Sequence, residues 1–401
     1  MLNLTRLWCG ASTPGDNLRY GEAPRGDGPP PQPRVHHRPV VVWNISRLCN
    51  LHCAHCYISA TTVPDPAELD TETAFGVADQ LASYSIPVLL LSGGEPMARP
   101  DILQVARHAT AGGLRVGLST NGTLLTTGVV KQLKKAGVAY VGISIDGPEA
   151  VNDKFRGSLG AFSQALAGIR NARAEGFRVS LRFTLTRYNH EYLGEVFDLV
   201  EREGIPRVCI YHLAYAGRGA RISERADLSP EETRAAIDLC LERTEYLHQK
   251  GLDTEVLTVD NHSDAAYLAL RLAKERPQQA EEVLPLLSLN GGNASGIGIG
   301  SIGPHGDVHA DQFSHHRSFG SVVERPFSVI WEDTSHPIMA GLKAKPRPLE
   351  GRCAVCPALS LCNGNLRVRA ETATGNMWAP DPACYLTDRE LQTVGGVLRG
   401  I

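Results

Sequence analysis

Three cysteines near residue 50 have the spacing of a metal-binding loop. Cys49, Cys53 and Cys56 directly follow an apolar, β-branched run at 39–45, and a loop can turn their thiols toward one point. Three thiolates leave one iron of a four-iron cluster without a protein ligand. A closed zinc site normally takes four ligands, and no further cysteine pair stands close enough to complete one. The spacing therefore indicates a cluster with one iron open to a second molecule.

A second group of cysteines lies near the end of the sequence. Cys353, Cys356, Cys362 and Cys384 supply four thiols, which is enough to saturate a cluster or a zinc ion. Their spacing alone leaves both metals open.

The alternation of β-branched runs with amphipathic stretches predicts the framework that positions these groups. Strands are predicted at 40–45, 87–91, 114–119, 139–145, 178–186 and 208–213, and helices near 73–83, 101–111, 128–135, 161–172 and 191–203. Six βα units imply a parallel sheet that right-handed crossovers curl toward a barrel. Because six units are two short of a closed TIM barrel, we expect an open α/β barrel with its functional groups at the carboxyl ends of the strands.

The sequence divides into four predicted regions. Residues 1–37 contain a Pro-rich stretch and several glycines, and we expect a flexible arm there because such a segment buries little apolar surface. The barrel is predicted at 38–220, a helical connector at 221–290 and an auxiliary domain at 291–401. Within the last region, Gly306 predicts a hairpin turn.

Charge and hydropathy exclude several classes of function. A net charge of −3 without a Lys/Arg cluster argues against a nucleic-acid surface. No apolar run approaches the about 18 residues of a membrane span. Since seven of the ten cysteines fall into metal-type groups and the first residues do not read as a signal peptide, we expect a cytoplasmic location.

The three-cysteine loop and the motifs at the predicted strand ends resemble those of the radical S-adenosylmethionine (SAM) superfamily. The motifs are Ser92-Gly93-Gly94-Glu95-Pro96, Ser119-Thr120-Asn121-Gly122 and Ser144-Ile145-Asp146-Gly147. Members of that superfamily chelate the amino and carboxylate groups of SAM at the open iron, and one electron then releases a 5′-deoxyadenosyl radical. The resemblance implies that Cys49, Cys53 and Cys56 hold the reactive [4Fe–4S] cluster.

The same resemblance implies a set of SAM contacts along one edge of the sheet: Tyr57, Gly93, Gly94, Glu95, Asn121, Ser144, Asp146, Arg182 and Thr184. The glycine-rich motif is expected to bind the amino group. Ser144 and Asp146 are spaced to meet the ribose diol, and Arg182 and Thr184 share a strand face that could hold the carboxylate.

The second cysteine group resembles the terminal part of SPASM or twitch extensions. Such an extension implies an auxiliary [4Fe–4S] cluster on Cys353, Cys356, Cys362 and Cys384, and hence two [4Fe–4S] clusters in all. Leu366 stands where the full seven-cysteine pattern has a further cysteine. The implied fold class is α/β, a partial (β/α)6 TIM-like barrel with a small C-terminal iron–sulfur (SPASM/twitch-like) domain.

Segments 41–45, 211–219, 362–365 and 378–385 resemble the radical SAM family of heme d1 biosynthesis. That family removes two propionates from 12,18-didecarboxysiroheme, which implies an iron-containing tetrapyrrole as substrate. A reducing electron donor such as a flavodoxin or ferredoxin is implied as partner, with no nucleic acid and no membrane. Candidate substrate contacts are Tyr211, His212, Arg218 and His309, because arginine can pair with propionates and histidine can bind iron.

Three alternatives stay open. The first is a sister enzyme that removes acetate side chains from the same didecarboxysiroheme in the alternative heme pathway. The second is a SPASM-type peptide maturase, against which the short Pro-rich segment before Val40 counts. The third is an iron–sulfur electron carrier or redox sensor, which has no need of the glycine-rich motif or of the Ser144–Asp146 pair.

Overall fold

A ten-stranded sheet is the central feature of the computed structural model, which describes residues 1–21 and 38–399. Its strands are β1 (Leu2–Asn3), β2 (Val40–Ser46), β3 (Leu89–Gly93), β4 (Val116–Thr120), β5 (Tyr140–Ser144), β6 (Arg178–Leu185), β7 (Arg207–His212), β8 (Glu255–Val259), β9 (Ile299–Ile302) and β10 (Val308–His309). Their order across the sheet is β1-β8-β7-β6-β5-β4-β3-β2-β9-β10.

Helices connect these strands and cover the sheet. They are α1 (Leu4–Cys9), α2 (Asp16–Tyr20), α3 (Thr71–Ser83), α4 (Ile102–Ala111), α5 (Thr127–Lys135), α6 (Glu149–Arg156), α7 (Ala161–Ala174), α8 (Leu193–Arg202), α9 (Gly217–Ala226), α10 (Pro230–Gln249), α11 (Ser263–Glu275), α12 (Pro277–Asn290), α13 (Phe327–Glu332), α14 (Pro337–Lys343), α15 (Gly351–Ala354), α16 (Leu359–Cys362), α17 (Arg367–Thr374) and α18 (Asp388–Arg399). None of the helices described is long and apolar enough to cross a membrane.

The predicted open barrel is confirmed. Strands β2 to β7 lie side by side in sequence order, and all five neighbouring pairs are parallel. The five predicted helices correspond to α3, α4, α5, α7 and α8. In α7 the apolar residues Ala165, Ile169 and Ala172 are buried at helical spacing, so this face packs against the sheet. Parallel strands place all their carboxyl ends along one edge, where the predicted motifs lie.

The sheet continues beyond the predicted barrel on one side. Strand β8 pairs in parallel with β7 within the region expected to be purely helical, and every residue of β8 is buried. The expectation of a helical connector is therefore wrong at 255–259. The β-branched run Val256-Leu257-Thr258-Val259 suits a strand that is covered on both faces.

Residues 1–21 correct the prediction of a flexible arm. Strand β1 pairs antiparallel with β8, and Leu4, Leu7 and Trp8 of α1 are buried. These apolar side chains offset the entropy of ordering the segment. The Pro-rich part of the predicted arm, 22–37, lies outside the described residues.

The C-terminal region joins the other side of the barrel. Strand β9 pairs in parallel with β2, and β10 returns antiparallel to β9. Gly306 lies between them at a φ of 93°, so the predicted hairpin turn is present. Helices α15 to α18 then carry or flank the second cysteine group.

Candidate active site

Residues 49–57, here called the cysteine loop, follow strand β2 and are held by backbone hydrogen bonds to other elements. The N–H groups of His52 and Ala54 donate to the carbonyls of Arg156 and Phe155 at the end of α6, at 3.2 and 3.0 Å. The Cys49 N–H donates to the Thr61 carbonyl at 2.8 Å. These contacts fix the path of the loop.

The sulfur atoms of all three loop cysteines accept hydrogen bonds from N–H groups of the protein. Cys49 Sγ accepts from the Leu51 N–H at 3.4 Å, and Cys56 Sγ accepts from the Ala60 N–H at 3.3 Å. Arg156 donates to Cys53 Sγ at 3.7 Å. Burial raises the pKa of the Cys49 thiol to about 12, so cluster loading must displace its proton. N–H donors and a guanidinium suit the thiolates of an iron–sulfur cluster.

The glycine-rich motif lies directly against the start of the cysteine loop. The N–H groups of Gly94 and Glu95 donate to the carbonyls of Ser46 and Leu48, both at 2.8 Å. A Cβ on Gly94 would lie 2.7 Å from the Arg47 carbonyl oxygen and nearer still to that of Leu48. Glycine at this position therefore allows two backbone segments to approach closely.

Glu95 serves as a brace within the protein. Its buried carboxylate accepts from the Met97 N–H at 3.0 Å, from the Thr120 hydroxyl at 2.7 Å and from the Asn121 N–H at 2.8 Å. Burial raises its pKa. The Glu95 side chain does not line the cavity at the carboxyl edge of the sheet. Although Glu95 is a predicted SAM contact, its carboxylate here ties the end of β3 to the end of β4.

A cavity opens at the carboxyl edge of the sheet beside the cysteine loop. Its empty volume, counting space open to solvent, is about 1110 Å³. All three loop cysteines line it. The strand ends contribute Ser92, Gly93, Ser119, Thr120, Ser144, Arg182, Thr184, Tyr211 and His212. The fold thus brings the predicted motifs of five strands around one space.

Three polar side chains on the cavity wall keep at least one hydrogen-bonding atom without a partner among the described residues. Ser144 lies opposite Arg182 in the β5–β6 register, and Thr184 is two residues further along β6. The side-chain hydroxyls of Ser144 and Thr184 have no hydrogen-bond partner among the described residues. Arg182 reaches Ser119 with one nitrogen, while its buried Nε has no partner within the described chain. These groups fit the hydroxyls and carboxylate of SAM.

Gly142 makes room for this arginine. A Cβ at that position would lie 2.7 Å from Arg182 Cζ, so the guanidinium occupies the space that a side chain would take. The bare backbone on β5 therefore lets Arg182 extend along the cavity wall.

Asp146 differs from the expectation of a ribose contact. Its buried carboxylate accepts from the Thr184 N–H at 2.9 Å and forms an ion pair with Arg156. His55 Nε2 lies 3.7 Å from the same carboxylate. Asp146 does not line the cavity, so the structure gives it the task of holding Arg156 and β6 instead.

Tyr57 and Asn121 lie at the rim between loop and sheet. The Tyr57 hydroxyl donates to Asn44 Oδ1 at 2.9 Å and lies 2.9 Å from the Ser92 hydroxyl. Asn121 Nδ2 donates to Asn50 Oδ1 at 2.8 Å and lies 3.9 Å from Cys49 Sγ. Both residues line the cavity and hold the loop.

The four candidate substrate contacts separate into two groups. Tyr211, His212 and Arg218 line the cavity, whereas His309 is buried away from it, with Nδ1 2.8 Å from the Arg317 carbonyl oxygen. Arg218 donates to the Cys53 and Ala60 carbonyls, both at 2.8 Å. Only its buried Nη2 lacks a partner among the described residues, so Arg218 mainly braces the cysteine loop.

Several cavity residues escaped the sequence reasoning. Arg156 comes from the unpredicted helix α6, and Asp260 directly follows the unpredicted strand β8 at a φ of 68°. Burial raises the pKa of Asp260 to about 6. Gln312 and Phe313 reach the cavity from the segment after β10. Of these residues, only Asp260 could have been found from the sequence. It follows a β-branched run that predicts a strand, and polar residues just after parallel strands lie at the edge of the sheet where the functional groups gather.

The four cysteines of the second group lie around one space. Cys353, Cys356, Cys362 and Cys384 line one small cavity with an empty volume of about 390 Å³. Burial raises the pKa of the Cys362 thiol to about 12. Within residues 1–21 and 38–399, no three His, Cys, Asp or Glu side chains lie close enough together to hold a single metal ion.

A buried arginine stands beside this second group. Arg367 is 1% exposed, and its Nη1 donates to the Met377 and Ala379 carbonyls at 2.8 Å each. Its Nε and Nη2 have no partner among the described residues. Burial raises the pKa of Cys353, and the charge of Arg367 opposes that rise. A guanidinium with two unpartnered nitrogens beside cysteine thiols suits an anionic cluster.

Sequence comparison places this chain close to known proteins. Residues 43–200 match the Radical SAM superfamily model. Fe-coproporphyrin III synthase of Methanosarcina barkeri is 51% identical over 396 residues, covering 98% of this chain and 99% of the relative. Pre-heme d1 synthase of Dinoroseobacter shibae is 41% identical, covering 92% of each chain.

Solved structures show the same architecture at low sequence identity. The crystal structure of Streptococcus suis SuiB bound to precursor peptide SuiA has a TM-score of 0.68 at 16% identity, covering 87% of this chain and 76% of SuiB. With its three-cysteine loop at the open edge of a parallel sheet and its full-length similarity to these relatives, the chain belongs to the radical SAM superfamily, whose members use a [4Fe–4S] cluster and SAM.

Proposed function

We propose that this chain is a radical SAM enzyme of heme biosynthesis that removes two acetate side chains from 12,18-didecarboxysiroheme to give iron coproporphyrin III. The observation that carries the proposal is the 51% identity to Fe-coproporphyrin III synthase over nearly the full length of both chains. Similarity to pre-heme d1 synthase is lower, at 41%. We therefore prefer the acetate-removing sister reaction to the propionate removal of the heme d1 family.

The cavity supports a substrate that is larger than SAM alone. Its lining combines the cysteine loop and the SAM-type strand motifs with a further wall of Tyr211, His212, Leu213, Ala214 and Phe313. Apolar and aromatic side chains suit a flat macrocycle, since most of a buried ligand contacts apolar groups. This wall lies beside the SAM-type motifs, which supports a tetrapyrrole bound next to SAM.

The chain's own residues would orient both molecules. When bound, the cluster and SAM supply a 5′-deoxyadenosyl radical, which abstracts hydrogen from an unactivated carbon. Arg182 would hold the SAM carboxylate, and Ser144 and Thr184 would meet the remaining polar groups of SAM. The main contribution of the protein would then be to place one side chain of the tetrapyrrole next to the ribose of SAM and to exclude water.

We also propose one auxiliary [4Fe–4S] cluster on Cys353, Cys356, Cys362 and Cys384. Four thiols around one cavity and the two unpartnered nitrogens of Arg367 support this assignment. With four protein ligands the cluster has no open iron, so we assign it electron relay or structural support. A reducing partner such as a flavodoxin or ferredoxin would supply the electron.

A single reaction tests the proposed function. Anaerobically reconstituted enzyme is reduced and incubated with SAM and didecarboxysiroheme, and the tetrapyrrole products are separated and weighed by mass spectrometry. We expect loss of two acetates and co-elution with iron coproporphyrin III. A product that has lost two propionates and kept its acetates would establish the heme d1 reaction instead. An unchanged tetrapyrrole alongside reductive SAM cleavage would refute both reactions.

A further inference from the structure

His212 lines the cavity and uses one of its two ring nitrogens within the protein. The residue ends strand β7 and lines the cavity, although only 5% of it is exposed. Its Nε2 lies 3.0 Å from Asp264 Oδ2. Its Nδ1 has no hydrogen-bond partner among the described residues. A carboxylate accepts hydrogen bonds, so Nε2 carries the proton and Nδ1 keeps a free lone pair.

The carboxylate that orients His212 is itself held in place. Asp264 is 1% exposed, and its Oδ1 accepts from the Tyr385 hydroxyl at 2.9 Å. Both oxygens of Asp264 are therefore engaged, and the imidazole is locked in one tautomer and one orientation.

A carboxylate–imidazole pair with its second nitrogen free is the arrangement that proteins use to present histidine to a metal. We propose that His212, oriented by Asp264, is an axial ligand to the iron of the tetrapyrrole through Nδ1. This inference rests on the proposed function, because the iron arrives with the substrate. Ligation would fix the height and rotation of the macrocycle relative to SAM, and would select iron-loaded over metal-free tetrapyrrole.

Other side chains near the cavity are less suited to bind this iron. Burial raises the pKa of Tyr211, which keeps its hydroxyl protonated and a weak ligand. His55 belongs to the cysteine loop and stacks on Phe155 at 4.5 Å. His309 does not line the cavity.

Binding spectra of the full-length, cluster-loaded protein test the proposal. Ferric coproporphyrin III serves as probe, and metal-free coproporphyrin III as the matched ligand without iron. Oxidised [4Fe–4S] clusters are diamagnetic, so paramagnetic resonance reports the porphyrin iron alone. We expect hyperfine coupling to nitrogen-15 in protein labelled only at histidine, and its loss in His212→Ala with a fall in affinity for the ferric porphyrin of about 10- to 100-fold.

Three further measurements separate ligation from a structural role. Adding imidazole to His212→Gly should restore the ligated spectrum, Asp264→Asn should weaken ferric binding by about 10-fold, and His309→Ala should match the parent. Metal-free porphyrin should bind the parent and His212→Ala equally.

The outcomes distinguish the inference from the function on which it rests. If His212→Ala binds the ferric porphyrin with the parent's affinity and hyperfine coupling, the ligand assignment is wrong while the tetrapyrrole substrate stands. If neither porphyrin binds the parent protein, the proposed function itself fails.

Discussion

Replacing Gly94 by alanine tests whether the glycine-rich motif supports the cysteine loop. The added Cβ would lie 2.7 Å from the Arg47 carbonyl oxygen and nearer still to that of Leu48, whereas ordinary contact begins at 3.4 Å, so the backbone must withdraw by more than 0.7 Å. Overpacking of this kind costs about 1–3 kcal/mol. The two hydrogen bonds from Gly94 and Glu95 to the segment just before the cysteine loop contribute about 1 kcal/mol each.

Together these terms predict a local destabilisation of about 3–5 kcal/mol. That is less than the stability of most folded domains, so the chain should still fold. The displacement falls one residue before Cys49, and we expect the first cluster to be lost selectively. The iron content should fall from about eight to about four per chain, with loss of reductive SAM cleavage.

A second glycine provides the control. Gly76 lies exposed within α3, and a Cβ there has no heavy atom within 4 Å. Gly76→Ala should raise the unfolding free energy by about 1 kcal/mol and leave the iron content unchanged. Iron analysis, paramagnetic resonance of the reduced clusters and deoxyadenosine release measure these effects. Gly94→Ala with about eight irons and the parent's cleavage rate would refute the reasoning.

Replacing all three loop cysteines by alanine should leave about four irons and abolish deoxyadenosine formation, and parent-level formation would exclude them as ligands. Arg218→Lys removes two hydrogen bonds to loop carbonyls, so cluster content and SAM cleavage should fall together; cleavage that persists while tetrapyrrole turnover alone falls would instead place Arg218 at the substrate. Burial raises the pKa of Asp260 to about 6, so its contribution to stability is fully present below about pH 4 and is lost as the pH rises through 6. Asp260→Asn should flatten that part of the pH profile of unfolding, and an unchanged profile would contradict the burial argument. Arg367→Gln removes a buried cation beside the second cysteine group and should lower the midpoint potential of the auxiliary cluster; a redox titration followed by paramagnetic resonance that gives the parent's midpoint would show that Arg367 does not act on it.

The sequence by itself determined the features that depend on local spacing. Three cysteines within eight residues indicate a cluster-binding loop, whatever the position of that loop in the fold. The barrel strands follow from runs of β-branched residues, and the helices between them follow from apolar residues at helical spacing. These patterns are local, because side-chain direction repeats along a strand or helix.

Elements with weaker local signals were missed. Helix α6 has eight residues and β8 has five, and both lie in regions dominated by longer helical patterns. Each nevertheless serves the site, because α6 carries Arg156 and β8 leads directly into Asp260. The arm predicted at 1–37 was wrong for 1–21 because its apolar residues pack against elements more than 200 residues away.

Only the tertiary structure decided what the polar side chains of the motifs contact. Glu95 and Asp146 stand in motifs that suggest ligand binding, yet their carboxylates accept hydrogen bonds from neighbouring strand ends. His212 meets Asp264 across 52 positions of sequence. A buried carboxylate is stable only with its partners in place, and those partners are brought together by strand order and helix packing, which no local spacing encodes.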